Sequence, residues 1–235
     1  AFGAVKLIFF VVRKMEEGQI ESGFRHGQTV TACLVALSHG TNDAQKTMGI
    51  ITLTLIAVGF QPSGTGPELW VVAICGLAIA LGTYMGGWRV IRTLGKGLTE
   101  ISTPQGFAAE AASATTILVS SHMGFALSTT QVCSGSIIGT GLGKKGSKVN
   151  WGVAGKMLIA WIVTFPAAGI VGALACALAK TSVWGTVAVA FIACAVAFII
   201  WRLSRRNPIN SANVNERADV KVNANPGAKT VAAAA

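Results

Sequence analysis

Charge is scarce in this chain. Only 12% of its 235 residues are Asp, Glu, Lys or Arg, against about 25% in a soluble domain. The scarcity is local. Residues 68–87 hold one charge, Glu68, and residues 151–179 hold one, Lys156. Catalytic signatures are missing too. There is no GxSxG, no HExxH and no GxxxxGK[ST], so the nucleophile-elbow, zinc-protease and P-loop chemistries are excluded. The five cysteines, Cys33, Cys75, Cys133, Cys176 and Cys194, show no CxxC spacing. They lie in apolar stretches and read as small buried hydrophobes. No basic patch is interleaved with aromatics, so the net charge of +10 does not point to nucleic acid.

What is present is apolar sequence in long runs, 52% of the chain being hydrophobic. About 20 apolar residues suffice to cross a bilayer core as a helix. Several such runs define an all-α polytopic membrane protein. Residues 1–12 read as the end of a spanning helix. The chain enters partway through an apolar segment, with no charged n-region ahead of it, and reads as a fragment and not as a signal peptide. A polar connection covers Arg13 to His26. A mostly apolar stretch runs from about Thr29 to Phe60, interrupted at Ser38–Lys46. Gln61-Pro62-Ser63-Gly64 is a turn. Residues 68–88, 151–179 and 184–201 are further spans. Thr103-Pro104 is a helix start, with two short apolar pieces after it, near 105–121 and 129–142. Residues 1–203 thus form a transmembrane domain. Residues 204–235, rich in Asn, Ala and small polar residues, form a disordered tail.

Basic residues orient the map. Four connections carry three each: Arg13, Lys14 and Arg25; Arg89, Arg92 and Lys96; Lys144, Lys145 and Lys148; Arg202, Arg205 and Arg206. The positive-inside rule places these four, and the C-terminal tail, in the cytoplasm. Segment 104–142 then has both ends on the cytoplasmic side. Its second piece is short of a crossing, so a re-entrant helical hairpin with its tip near His122–Thr130 is the simplest solution, two tilted crossings being the other. Residues 24–60 would reach about 55 Å as one straight helix. That excess, with a polar block in the middle, predicts a broken or strongly tilted helix lining a polar cavity. Gly82-x-x-x-Gly86, Gly135-x-x-x-Gly139 and Gly139-x-x-x-Gly143 set small residues one turn apart for close helix contact.

Three places could carry chemistry. In Ser38-His39-Gly40-Thr41-Asn42-Asp43-Ala44-Gln45-Lys46, an Asp at membrane depth costs a few kcal/mol on insertion scales (~2.5–3.5). Asp43 and Lys46 are three apart and can pair on a helix. A pair that only packs the bundle would leave the donors and acceptors of Thr41, Asn42 and Gln45 unexplained. Gly40 would let the backbone open towards a ligand. In Leu127-Ser128-Thr129-Thr130-Gln131, Ser128-x-x-Gln131 matches a capping box. The helix start it marks offers unpaired N–H groups and three hydroxyls, which suit a tetrahedral oxyanion, though a capping box with no further role has the same sequence. The third is Glu110, alone as an acid in 104–142. It could hold a coupling ion or a proton, or lie at the cytoplasmic water boundary. His122 lies near the proposed tip, as a structural residue or a relay.

Gly40-Thr41-Asn42-Asp43, then Gly106-Phe107-Ala108-Ala109-Glu110, then Ser128-Thr129-Thr130-Gln131 resemble, in order and separation, one repeat of the inorganic phosphate transporter (PiT) family. The likeness covers roughly residues 20–180. It implies one half, the C-terminal repeat, of an inverted-repeat secondary carrier, with the N-terminal repeat missing from this chain. It implies a phosphate site lined by Asn42, Asp43, Ser128, Thr129 and Thr130, and ion coupling through Asp43, Lys46, Glu110 and Gln45, with sodium as the ion near Asn42 and Asp43 in sodium-coupled members. Gln131 departs from the family's usual His. The Asp43-Ala44-Gln45-Lys46 run resembles the bacterial low-affinity branch, which is proton-coupled and takes metal–phosphate complexes. The expected function is symport of inorganic phosphate with a proton or sodium across the cytoplasmic membrane, with no enzymatic activity and no bound cofactor. The surroundings are membrane lipid, and a homodimer is compatible with the pattern. A passive anion pore and a non-transporting membrane scaffold are the competing readings.

Overall fold

The computed structural model of the chain describes residues 1–14 and 16–205. Regular structure among them is helical: α1 (Phe2–Val12), α2 (Glu17–Ala57), α3 (Leu69–Met85), α4 (Trp88–Arg92) with a π turn at Thr93–Gly97, α5 (Thr103–His122), α6 (Thr129–Gly143), α7 (Trp151–Ala179) and α8 (Val183–Ser204). The tail expected from Ser204 onward lies outside the described residues, except that α8 runs through Ser204 and Arg205 follows it. The helices pack in two units, Ala1–Val149 and the segment from Asn150 onward.

In the first unit α2 is a single helix of 41 residues, about 60 Å long. This corrects the expected break at Ser38–Lys46. The polar block stays helical because its hydroxyls satisfy themselves on the preceding turn. Ser38 Oγ donates to the Leu34 carbonyl at 2.6 Å, and Thr41 Oγ1 to the Leu37 and Ser38 carbonyls at 2.9 and 3.1 Å. Gly40 costs such a helix only about 1 kcal/mol, and there is no proline to interrupt the ladder. The start of α2 is a second correction. The segment 17–26, expected as a connection, is already helical, braced by Arg25–Glu21 at 3.6 Å and by His26 Nδ1 against the Ser22 carbonyl at 2.9 Å. Residues four apart meet on a helix face.

The loop after α2 turns at the expected Gln61-Pro62-Ser63-Gly64, with Gly64 and, just ahead of it, Gly59 in the left-handed region. Gln61 Nε2 closes it on Thr65 Oγ1 at 2.8 Å and on the Gly66 carbonyl at 2.6 Å. The chain then returns as α3 against α2.

α5 begins one residue earlier than its sequence suggests. Ser102 is the N-cap and Gln105 completes the box, its Oε1 accepting from the Ser102 N–H at 3.0 Å. The proline at the second position of the helix leaves no hydrogen bond unmade there. α5 and α6 fold back on each other as a helical hairpin. At its base Gln105 Nε2 reaches the Thr140 carbonyl at 3.4 Å, and Thr99 pairs with Val149 in an isolated antiparallel bridge. α5 runs parallel to α2. Phe107 meets Phe24 edge-on at 5.3 Å, Ser38 Oγ lies 3.5 Å from the Ala114 carbonyl, and Ser121 reaches Asn42.

One of the glycine spacings, Gly139-x-x-x-Gly143, has a visible use. A Cβ on Gly139 would stand 3.3 Å from Ala1 Cβ, and one on Gly143 would collide with Val5 Cγ1 and stand 3.0 Å from the Phe2 carbonyl. α1 therefore lies directly on α6. No such neighbour surrounds Gly82, Gly86 or Gly135.

In the second unit α7 and α8 form a hairpin. Asn150 caps α7 by accepting from the Val153 N–H at 3.2 Å, and Ser182 caps α8 by accepting from the Gly185 N–H at 3.2 Å. These two helices are long and apolar enough to cross a membrane, with mean hydropathy 2.1 and 2.5. Their large side chains face outward, Phe165 being 87% and Trp184 80% exposed. Water is a poor solvent for such a surface and lipid a good one.

Gly143→Ala is expected to lower stability by about 1–3 kcal/mol, the usual penalty for overpacking. In a Val5→Ala background the loss should shrink, because the clashing methyl is gone. Thermal unfolding in detergent of the two single variants and the double variant reads this coupling. Equal losses in both backgrounds would mean that α1 does not rest on Gly143.

Candidate functional site

The site forms where the middle of α2 meets the hairpin tip. Asn42, 2% exposed, is its tether. Its Nδ2 donates to Asp43 Oδ1 at 2.9 Å and to the Leu127 carbonyl at 2.8 Å, while its Oδ1 accepts from Ser121 Oγ at 3.3 Å. Two acceptors at one end and a donor at the other fix the orientation of the amide. Lys46 Nζ donates to Asp43 Oδ1 at 3.0 Å and to the Leu127 carbonyl at 2.6 Å. The pairing expected from the three-residue spacing is therefore made, and it is half-buried, the two side chains being 35% and 31% exposed.

The other carboxylate oxygen faces the start of α6. Thr129 Oγ1 donates to Asp43 Oδ2 at 3.4 Å. His39 Nδ1 lies 3.1 Å from Thr129 Oγ1 and 3.3 Å from Asp43 Oδ2. Ser128 is the N-cap, accepting from the Gln131 N–H at 3.4 Å. A carboxylate is thus held beside a helix N-terminus, where the unpaired N–H groups and the helix dipole favour negative charge. Around it stand one lysine, one amide, one hydroxyl and one imidazole.

Not every expected residue joins this cluster. Thr130 and Gln45 are exposed, and Ser128 is exposed while its hydroxyl caps α6. Glu110 is half-buried at a separate place, its partner Thr31 being about 18 Å from Asp43 along α2. There its Oε2 accepts from Thr31 Oγ1 at 2.6 Å and its Oε1 from Gln28 Nε2 at 3.5 Å. His122 ends α5 on an exposed surface. Three participants carried no assigned role in the sequence reading: His39, Ser121 and the Leu127 carbonyl. His39 had a signal, since it lies four before Asp43 and one helix turn brings the two together. The other two become visible only when the hairpin is folded. Among the described residues no three His, Cys, Asp or Glu side chains gather as metal ligands do.

Two apolar helices of spanning length, in a chain whose regular structure is helical among the described residues, mark an all-helical membrane protein. The chain belongs to the phosphate transporter family, whose model matches residues 6–172. It is 51% identical over 212 residues to a Mycobacterium tuberculosis protein named "Probable low-affinity inorganic phosphate transporter", covering 89% of this chain and 51% of that one. Proteins of the same name from Mycobacterium leprae and Bacillus subtilis are 56% and 40% identical, over 73% and 74% of this chain and 42% and 51% of theirs. The chain spans about half the length of the curated relatives it matches. No solved structure matches it.

Lys46→Met removes both bonds of the ammonium and is expected to cost about 1–3 kcal/mol. Gln45→Met, on the exposed face, should stay within about 0.5 kcal/mol of the parent. Chemical unfolding in detergent compares the two, and equal effects would show that Lys46 does not anchor the tip.

Proposed function

We propose that this chain is the C-terminal repeat of a secondary active carrier that moves inorganic phosphate across the cytoplasmic membrane by symport with a cation, a proton or sodium. One observation carries the reading: the Asp43 carboxylate lies between Lys46 and the start of α6, where an oxyanion would also bind. A phosphate that enters competes with Asp43 for the ammonium and for the Thr129 hydroxyl. Two like charges this close repel strongly in a partly dehydrated site. Entry is favourable when a cation or proton arrives with the phosphate, and this makes the coupling obligatory.

The residues divide by charge. Lys46, Thr129 and the N–H groups at the start of α6 suit the phosphate, with Ser128 and Thr130 at its edge. Asn42 orients both partners. Asp43 takes the positive charge, and the His39 imidazole lies within 3.3 Å of it. Lys46 stands on Asp43 where a sodium-coupled relative would hold its ion, which favours proton over sodium here and leaves any divalent metal to travel with the phosphate. The hairpin of α5 and α6 enters and leaves on the cytoplasmic side, so that its tip carries the site near the midplane. The missing repeat, related to this one by inversion, supplies the facing wall, and the two rock to alternate access.

Asp43→Asn is expected to abolish phosphate uptake while membrane insertion is unchanged. Lys46→Ala should lose proton-driven uptake. Radiolabelled phosphate in proteoliposomes of the full-length carrier, under a proton gradient, a sodium gradient and neither, measures all three proteins. Accumulation with one cation supports symport. Equilibration under every condition would instead indicate a pore, and normal uptake by Asp43→Asn would remove the site assignment.

A further inference from the structure

The second polar centre, at Glu110, has a construction of its own. Its hydrogen-bonding partners, Thr31 and Gln28, are both neutral and both lie on α2. Thr31 is 5% exposed, and its hydroxyl lies within 3.2 Å of the Gln28 carbonyl as well as 2.6 Å from Glu110 Oε2. The Gln28 side chain lies flat on α5. A Cβ at Gly106 would collide with Gln28 Nε2 and stand 3.0 Å from its Cδ. The neighbouring contact repeats the pattern with the helices exchanged. A Cβ at Gly27 would stand 3.1 Å from the Phe107 ring, which itself packs on Phe24. Gly106 is therefore small so that an amide from α2 can pass, and Phe107 locks the register that delivers Thr31 and Gln28 to Glu110.

We propose that Gln28 and Thr31 are positioning residues for the Glu110 carboxylate, holding it in the geometry in which it exchanges the coupling cation or proton. This rests on the reading, implied by the family resemblance, of Glu110 as a coupling group alongside Asp43. Neutral donors suit that task. They fix both carboxylate oxygens without neutralising them, so the charge stays available to an arriving cation, whereas a lysine or arginine would satisfy it permanently. Gly106 and Phe107 act one step further out, through Gln28 and the register of α2 on α5.

The test compares Thr31→Val, Thr31→Ser, Gln28→Met and Glu110→Gln in the full-length carrier in proteoliposomes, using phosphate uptake with the driving cation varied at fixed phosphate and then the reverse. Thr31→Val and Gln28→Met are each expected to raise the half-saturating concentration of the cation about 10-fold, the size of one lost bond to a charged acceptor, with the KM for phosphate unchanged. Thr31→Ser should restore the parent value, because it returns the hydroxyl without the methyl. Coupling lost in Glu110→Gln but unaltered in Thr31→Val and Gln28→Met would overturn the proposal and leave the role of Glu110 intact. Unaltered coupling in Glu110→Gln would overturn that role itself. A loss in Thr31→Val that Thr31→Ser does not repair, or that raises the KM for phosphate equally, would assign Thr31 to packing and likewise overturn the proposal.

Discussion

Lys46 has one positive charge and two acceptors for it, the Asp43 carboxylate and the Leu127 carbonyl. The first contact lies within α2 and the second reaches the hairpin tip. Together they make one ammonium responsible both for neutralising an acid inside the bundle and for holding a mobile class of element, a loop tip, against a long helix. Asn42 doubles the arrangement with a neutral group, since its amide bonds the same carboxylate and the same carbonyl. The position of α6, and with it the direction in which its N-terminus points, follows from the two bonds to the Leu127 carbonyl and from Thr129 on Asp43. A buried pair missing one partner leaves an uncompensated charge, so any ligand that claims Lys46 also acts on the tip.

Much of this was legible from local spacing. The pairing of Asp43 with Lys46 needs only the helical period, as does the cap at Ser128. Turn chemistry found the loop at Gln61–Gly64 because proline and glycine act there through the backbone itself. Legibility failed where a residue's role depends on a segment remote in sequence. Nothing near Ser121 says that its hydroxyl will meet Asn42, and nothing near Gly106 says that Gln28 will lie across it. The break expected at Ser38–Lys46 failed for another reason. Polar residues inside an apolar segment suggest an interruption, yet serine and threonine can return their hydroxyls to the carbonyls of the preceding turn, and the helix then continues unbroken.

Glu110 and Asp43 illustrate two ways of keeping a carboxylate within a helical bundle. Asp43 is met by an ammonium and an imidazole on its own helix, so its charge is offset locally. Glu110 is met by an amide and a hydroxyl from another helix, so its charge is only oriented. Asp43 lies on α2 and Glu110 on the parallel α5, where side chains of α2 orient it. One helix, α2, thus carries the offset acid and the donors that orient the other, and a displacement of α2 against α5 alters both at once.

The three-residue spacing of Asp43 and Lys46 also bears on how the chain is made. Asn42 waits for a partner 79 residues later, which at translation rates of about 5–20 residues per second is a delay of about 4–16 s. Through that interval α2 has no hairpin beside it. An isolated acid in hydrocarbon would resist entering the bilayer, but the lysine one turn further on is synthesised with it and can neutralise it as soon as the helix forms. The ion pair is thus available as soon as α2 forms, before the hairpin that packs against it has been made.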